Sequence, residues 1–230
     1  MIDRSMEFWT PEPLHAGRTV VCLASGPSLT LDIVRRCTGQ AVITVNSSAY
    51  ACVEAGITDA TLYFTDSGWY THRRDLVANW PGLVVSMSRT AKREMPDKVK
   101  RVKGVGSPPF PPRQNGRPGF PALGSSEIQQ GRNSGNTAVS LAIAMGACRV
   151  LLVGYDCKVV NGREHFHPNE GDYAGPRDLG LYDDEYKRAF AGWREAAEAS
   201  GVDILNATPG SAITEFEMVD LNEALACTAR

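Results

Sequence analysis

The stretch Val20 to Thr30, "VVCLASGPSLT", decides the fold. Val20, Val21, Cys22 and Leu23 form an apolar run rich in β-branched residues, the pattern of a strand covered on both faces in a parallel sheet. The residues after it should form its turn. Gly26 can take backbone angles closed to other residues, Pro27 has its φ already set for a first helical position, and Ser28 brings a hydroxyl to free amides. A helix is expected to open near Leu29. Because a helix start holds unpaired N–H groups and a partial positive charge, the turn could seat a phosphate; the plain alternative is a tight βα turn without a ligand.

Comparable apolar segments recur at Thr19 to Ala24, Ala41 to Asn46, Ala60 to Phe64, Gly82 to Ser86, Val150 to Val153 and Val202 to Asn206. Helical periodicity marks Asn136 to Met145 and Asp184 to Ala199, and in the second of these Tyr186, Phe190, Trp193 and Ala197 fall on one core-facing stripe. Strands alternating with helices predict an α/β domain: a Rossmann-like, mostly parallel sheet with helices on both faces. Lys92 to Ser125 is different, basic and then Pro/Gly-rich without a strand or helix period, and is read as a long loop, either a lid over the strand ends or a plain insertion. One domain is expected over the 230 residues, 43% of them hydrophobic and 22% charged.

The formal net charge of −2 argues against affinity built on neutralising nucleic-acid phosphates. No apolar run approaches the roughly 18 residues that span a bilayer, and a cytoplasmic protein is expected. Six scattered cysteines without C-x-x-C spacing read as reduced, small core residues. Trp9, Trp69 and Trp80 read as exposed aromatics that would allow an interface between copies.

In a parallel sheet ligands bind beyond the carboxyl ends of the strands. There the sequence places Ser25 to Ser28, Asn46, Asp66, and the "GYD" of Gly154, Tyr155 and Asp156, with Asn206, Thr208 and Ser211 after the last strand. In "GRNSGNTAVSLAIAMG", Asn133 or Ser134 can cap a helix, Gly135 permits close approach, and small residues let the helix pack tightly, so this is a second candidate anion seat. Asp66 could hold Mg²⁺ carried by a nucleotide or bond a ribose hydroxyl. In "GREHFHPNEGDY", His165 and His167 point to one side of an extended segment, near Glu164, Glu170 and Asp172. No Cys or His at a recognisable spacing completes a metal set, and no metal site is assigned. A general base suits one of these histidines better, because imidazole titrates near neutrality; two surface histidines on a loop are the alternative. The dinucleotide fingerprint G-x-G-x-x-G and the P-loop are both absent, which lowers NAD-dependent dehydrogenases and P-loop kinases.

In order, "GPSL", a second strand ending in Asn, "SG" before an Ala-rich helix, "GYD", a downstream His and "NATPGSAITEF" resemble the family 42 bacterial sialyltransferases. "GPSL" and Asp66 also resemble the 6-hydroxymethylpterin pyrophosphokinase-like proteins, and small proteins of tailed phages carry a similar pattern. The first resemblance implies a transferase taking a nucleotide-sugar donor, CMP-type favoured, and passing the sugar to a small-molecule or glycan acceptor. It implies Gly26, Pro27, Ser28 and Asn46 on the nucleotide, Ser134 and Gly135 holding it from the other side, Asp156 at the strand end, and His165 or His167 as base. The chain departs where those enzymes carry aromatics after the Asp: here stand Cys157 and Lys158, with Tyr155 before the Asp and Tyr173 the nearest later candidate. Asp66 stands where they carry Asn, which would repel a bare phosphate but hold one through Mg²⁺. A Mg²⁺-dependent pyrophosphokinase using Asp66 and Asp156 is therefore the second reading, and a non-catalytic nucleotide-binding or phage assembly protein the third.

Overall fold

The computed structural model describes residues 7–106, 111–131, 133–167, 186 and 188–226. Alternation along the strands builds two cores. In β1 (Thr19–Leu23), Val20 and Cys22 enter one apolar layer while Val21 and Leu23 enter the other, and β2 (Ala41–Val45) and β3 (Thr61–Phe64) divide in the same way. A sheet apolar on both faces must be covered on both.

From β3 the chain continues outward through β4 (Val84–Ser86) and β5 (Val99–Arg101). After an excursion through β6 (Lys103–Val105), β7 (Arg113–Gln114), β8 (Arg117–Pro118) and β9 (Glu127–Gln129), it returns to lay β10 (Arg149–Val153) on the free side of β1. Then β11 (Asp203–Asn206) and β12 (Glu217–Met218) extend that side, giving eight parallel strands in the order β12-β11-β10-β1-β2-β3-β4-β5. Strand order reverses between β1 and β10, and such a switch point opens a crevice at the carboxyl edge.

One face carries α1 (Leu31–Arg36), α2 (Ser48–Ala55), α3 (Ser67–His72), α4 (Arg74–Asn79), α5 (Arg89–Glu94) and α8 (Leu221–Ala226). The other carries α6 (Ser134–Ala144) and α7 (Trp193–Ala199). Every residue of α6 is buried, and its small side chains let it lie close over β1, β2 and β3. Six expected strands are present, and the α/β, Rossmann-like class with helices on both faces holds.

Four details differ from the sequence reading. The first helix starts at Leu31, capped by Thr30, whose Oγ1 accepts from Ile33 N at 3.2 Å; the turn containing Ser28 stays outside it. The expected long helix is interrupted, because Gly192 takes φ +73° between a 3₁₀ turn (Arg188–Phe190) and α7. Phe190, Trp193 and Ala197 still enter the core, but Tyr186 lines a cleft at the carboxyl edge of the sheet. Between Lys92 and Ser125, where no period is visible, α5 ends and β5 to β8 lie, strands of two or three residues that are too short to display alternation. Trp69 and Trp80 are not exposed: both are buried, their indole N–H groups donating to Ser47 Oγ at 3.0 Å and Ala60 O at 2.9 Å.

Cys22, Cys37, Cys52, Cys148 and Cys157 are not in disulfides, and burial pushes the thiols of Cys22 and Cys37 up to about 12 and that of Cys52 up to about 11. Among the described residues no helix is long and apolar enough to cross a membrane. Glu170, Asp172, Tyr173 and Cys227 lie outside the described residues.

Candidate functional site

An open cleft lies at the carboxyl edge of the sheet. The turn after β1 supplies Ser25, Gly26 and Pro27, the turn after β2 supplies Asn46 and Ser47, and the start of α6 supplies Asn133, Ser134 and Gly135. From beyond β10 come Gly154, Tyr155, Cys157, Lys158, Glu164, His165 and His167. Trp69, His72 and Arg73, at the end of α3, close the remaining side. Of the eleven residues singled out from the sequence as catalytic or nucleotide-binding, Ser28, Asp66 and Asp156 are not among the lining residues.

Their absence has a local cause. Asp156 is 1% exposed and spends its carboxylate on the β1 turn, accepting from Ser28 N at 3.2 and 3.3 Å and from Ser28 Oγ at 2.8 Å. Gly26 N also donates to Gly154 O at 2.9 Å, so the two turns flanking the switch point are tied together. A Cβ on Gly26 would overlap both Asp156 Oδ2 and Gly154 O, which is why glycine stands there. The anion seat foreseen in "GPSL" is filled by the protein's own carboxylate. Asp66 likewise works locally, its Oδ1 accepting from Gly68 N at 2.6 Å as the N-cap of α3. Since β1 and β2 separate β3 from β10, the ends bearing Asp66 and Asp156 stand three strand spacings apart, roughly 14 Å, and cannot share one ion. Among the described residues no group of three or more His, Cys, Asp or Glu is placed to hold a metal.

The second seat stays open. Asn133 caps α6, its Oδ1 accepting from Asn136 N at 2.9 Å, and leaves the earlier amides of Ser134 and Gly135 without an intrahelical partner. Both residues line the cleft. Ser134 Oγ pairs with Thr65 Oγ1 at 2.7 Å, and Tyr155 OH donates to Gly135 O at 2.9 Å, so the helix start is pinned to the ends of β3 and β10. Burial raises the Tyr155 phenol well above its ordinary range, which makes it a structural donor and no acid–base group near neutrality. Thr208 and Ser211 serve the same pinning: Tyr155 N donates to Thr208 Oγ1 at 3.0 Å and Ser211 Oγ donates to Tyr155 O at 2.6 Å. Asn206 is fully buried, and none of these three lines the cleft.

Beyond β10 the chain turns at the Val160–Arg163 bridge and returns to the β1 turn, where Phe166 N donates to Ser25 O at 3.1 Å. Phe166 packs into the core on the α1 side, and the histidines flanking it both line the cleft, as their spacing implied. Their rings stack with centroids 5.2 Å apart and planes 10° from parallel.

Two lining residues hold uncommon backbone angles: Asn46 at φ +53° and Cys157 at φ +48°. Asn46 Oδ1 is shielded from solvent and meets no donor among the described residues. The sequence reading missed Trp69, His72 and Arg73, because it stopped at the strand ends and these lie one short helix further on.

Compared with known proteins, the chain matches no family model, no curated protein and no solved structure.

Proposed function

We propose that the protein is a glycosyltransferase that takes its sugar from a nucleotide-sugar donor and uses His165 or His167 as general base. The supporting observation is that the two histidines and the open start of α6 line one cleft from different elements. The histidine accepts the proton of an acceptor hydroxyl, and that oxygen bonds to the anomeric carbon of the donor sugar. The bond from that carbon to the phosphate oxygen breaks, leaving its electron pair on the nucleotide. The amides of Ser134 and Gly135 stabilise that charge without having to reorganise. The motif resemblance to the family 42 sialyltransferases favours the same chemistry. Against a Mg²⁺-dependent phosphoryl transferase stand the separation of Asp66 from Asp156 and their bonds to Gly68 N and to Ser28.

The test is donor turnover, sugar transferred or hydrolysed, in the protein and in H165Q and H167Q. Loss of the base should lower turnover by about 10²- to 10⁴-fold in one of the two variants while nucleotide affinity stays nearly constant. Unchanged turnover in both would remove the general-base role, and absence of binding by any nucleotide or sugar nucleotide would overturn the whole proposal.

A further inference from the structure

Resting on the nucleotide-donor reading of the cleft, we infer that it contains a second phosphate subsite at Arg73, and hence that the donor is a nucleoside diphosphate conjugate. The family resemblance favours a single-phosphate donor, so this goes against that expectation.

Arg73 sits where α3 ends and α4 begins, with φ −130° and ψ 25°, and it lines the cleft beside His72 and Trp69. Its Nη1 donates to His72 O at 3.0 Å and its guanidinium lies 5.9 Å from the centroid of the Tyr50 ring, contacts that fix the position of the group. Its Nε is shielded from solvent and has no acceptor among the described residues. A permanently charged donor left so is costly, and a phosphate oxygen is the acceptor a guanidinium fork fits best. Thr65, which follows β3, meets Ser134 at the start of α6, and α3 begins two residues later, so the α6 amides and Arg73 approach the cleft from opposite faces of the same strand end.

Charge points the same way. Arg73 and Lys158 line the cleft against one described carboxylate, Glu164, and the helix start adds roughly half a positive charge. That balance, about +1.5, can accommodate the two negative charges of a sugar pyrophosphate. The phosphate nearest the sugar would lie at the α6 amides and the phosphate nearest the nucleoside at Arg73.

Calorimetric titration of the native protein in EDTA with CMP and CDP, UMP and UDP, AMP and ADP, and GMP and GDP tests this. For whichever base binds, the diphosphate should bind about tenfold more tightly than the monophosphate. R73Q should weaken monophosphate and diphosphate alike, by about tenfold each, because both carry the phosphate nearest the nucleoside, and should leave in place the diphosphate's advantage at the α6 amides. On the unmodified protein, inorganic pyrophosphate should compete more strongly than inorganic phosphate for the bound nucleotide, a measurement that does not depend on how R73Q folds. Equal or tighter binding of the monophosphate, or affinities for both left unchanged by R73Q, would overturn the Arg73 subsite while leaving the glycosyltransferase proposal standing. No binding by any of these nucleotides would overturn both.

Discussion

Two turns of this chain that look alike in sequence, one just ahead of α1 and one opening α6, end differently. After β1, "SGPS" offers glycine, a fixed proline φ and a hydroxyl; before α6, "NSG" offers a cap and a glycine. The first is closed by Asp156, which takes both the amide and the hydroxyl of Ser28. The second is capped from within its own turn by Asn133, whose bond goes to Asn136 N, so the amides of Ser134 and Gly135 have no intrahelical partner. Free amides in a turn are therefore an invitation that any nearby carboxylate can accept, and a buried aspartate from the adjacent strand end is such a carboxylate. What separates a ligand seat from a structural knot is the residue delivered opposite it, which lies 128 positions away along the chain.

The largest expected effects come from disturbing the closed turn. Gly26→Ala should lower stability by about 2–3 kcal/mol in denaturant titrations, because the added methyl overlaps both Asp156 and the Gly154 carbonyl. Asp156→Ala should cost about 1–2 kcal/mol by leaving the half-buried donors of Ser28 without their acceptor. If Asp156→Ala were instead neutral for stability and abolished nucleotide binding, the turn would be a ligand seat after all.

A smaller effect separates the two turns more sharply. Ser28→Ala should reduce stability by about 1 kcal/mol and leave nucleotide affinity unchanged. Asn133→Ala should cost about the same in stability, through the lost cap, and also weaken nucleotide binding, because the start of α6 frays beside the cleft. Equal binding losses in both variants would erase the distinction between the turns.

The smallest effect belongs to a carboxylate with neither turn nor burial. Glu94 receives Arg74 Nε at 2.8 Å, Arg74 Nη2 at 3.2 Å and Tyr70 OH at 2.9 Å, and these donors hold its carboxyl down to about 2. Its folded-state value is depressed, so its contribution is present above the ordinary glutamate range and is lost as the pH falls through about 2. E94Q should be slightly less stable than the native protein near pH 7 and indistinguishable near pH 2. Solvent keeps the difference small.

The fold was legible because periodicity and apolar runs are local: all six strand segments and the α6 helix could be read from them. What escaped was set by tertiary contact. Gly192 breaks a helix whose stripe looked continuous, and Trp69 and Trp80 bury indoles whose hydrogen-bond partners lie 22 and 20 residues away. The site was half legible. Gly26, Pro27, Asn46, Ser134, Gly135, Tyr155 and the two histidines meet in one cleft because strand-end position is itself a sequence property. Ser28, Asp66 and Asp156 carried the right chemistry but bond to one another or to their own turn, which no single segment reveals. Arg73 lies after a helix, where the strand-end rule does not look.

The contrast between the two turns can be read amide by amide. In a ¹⁵N–¹H spectrum of the native protein titrated with CDP in EDTA, with UDP, ADP and GDP as the alternative bases, the amides of Ser134 and Gly135 should shift progressively while that of Ser28 stays in place. Movement of Ser28 with Ser134 and Gly135 unmoved would contradict the account, because it would put the phosphate where Asp156 now sits.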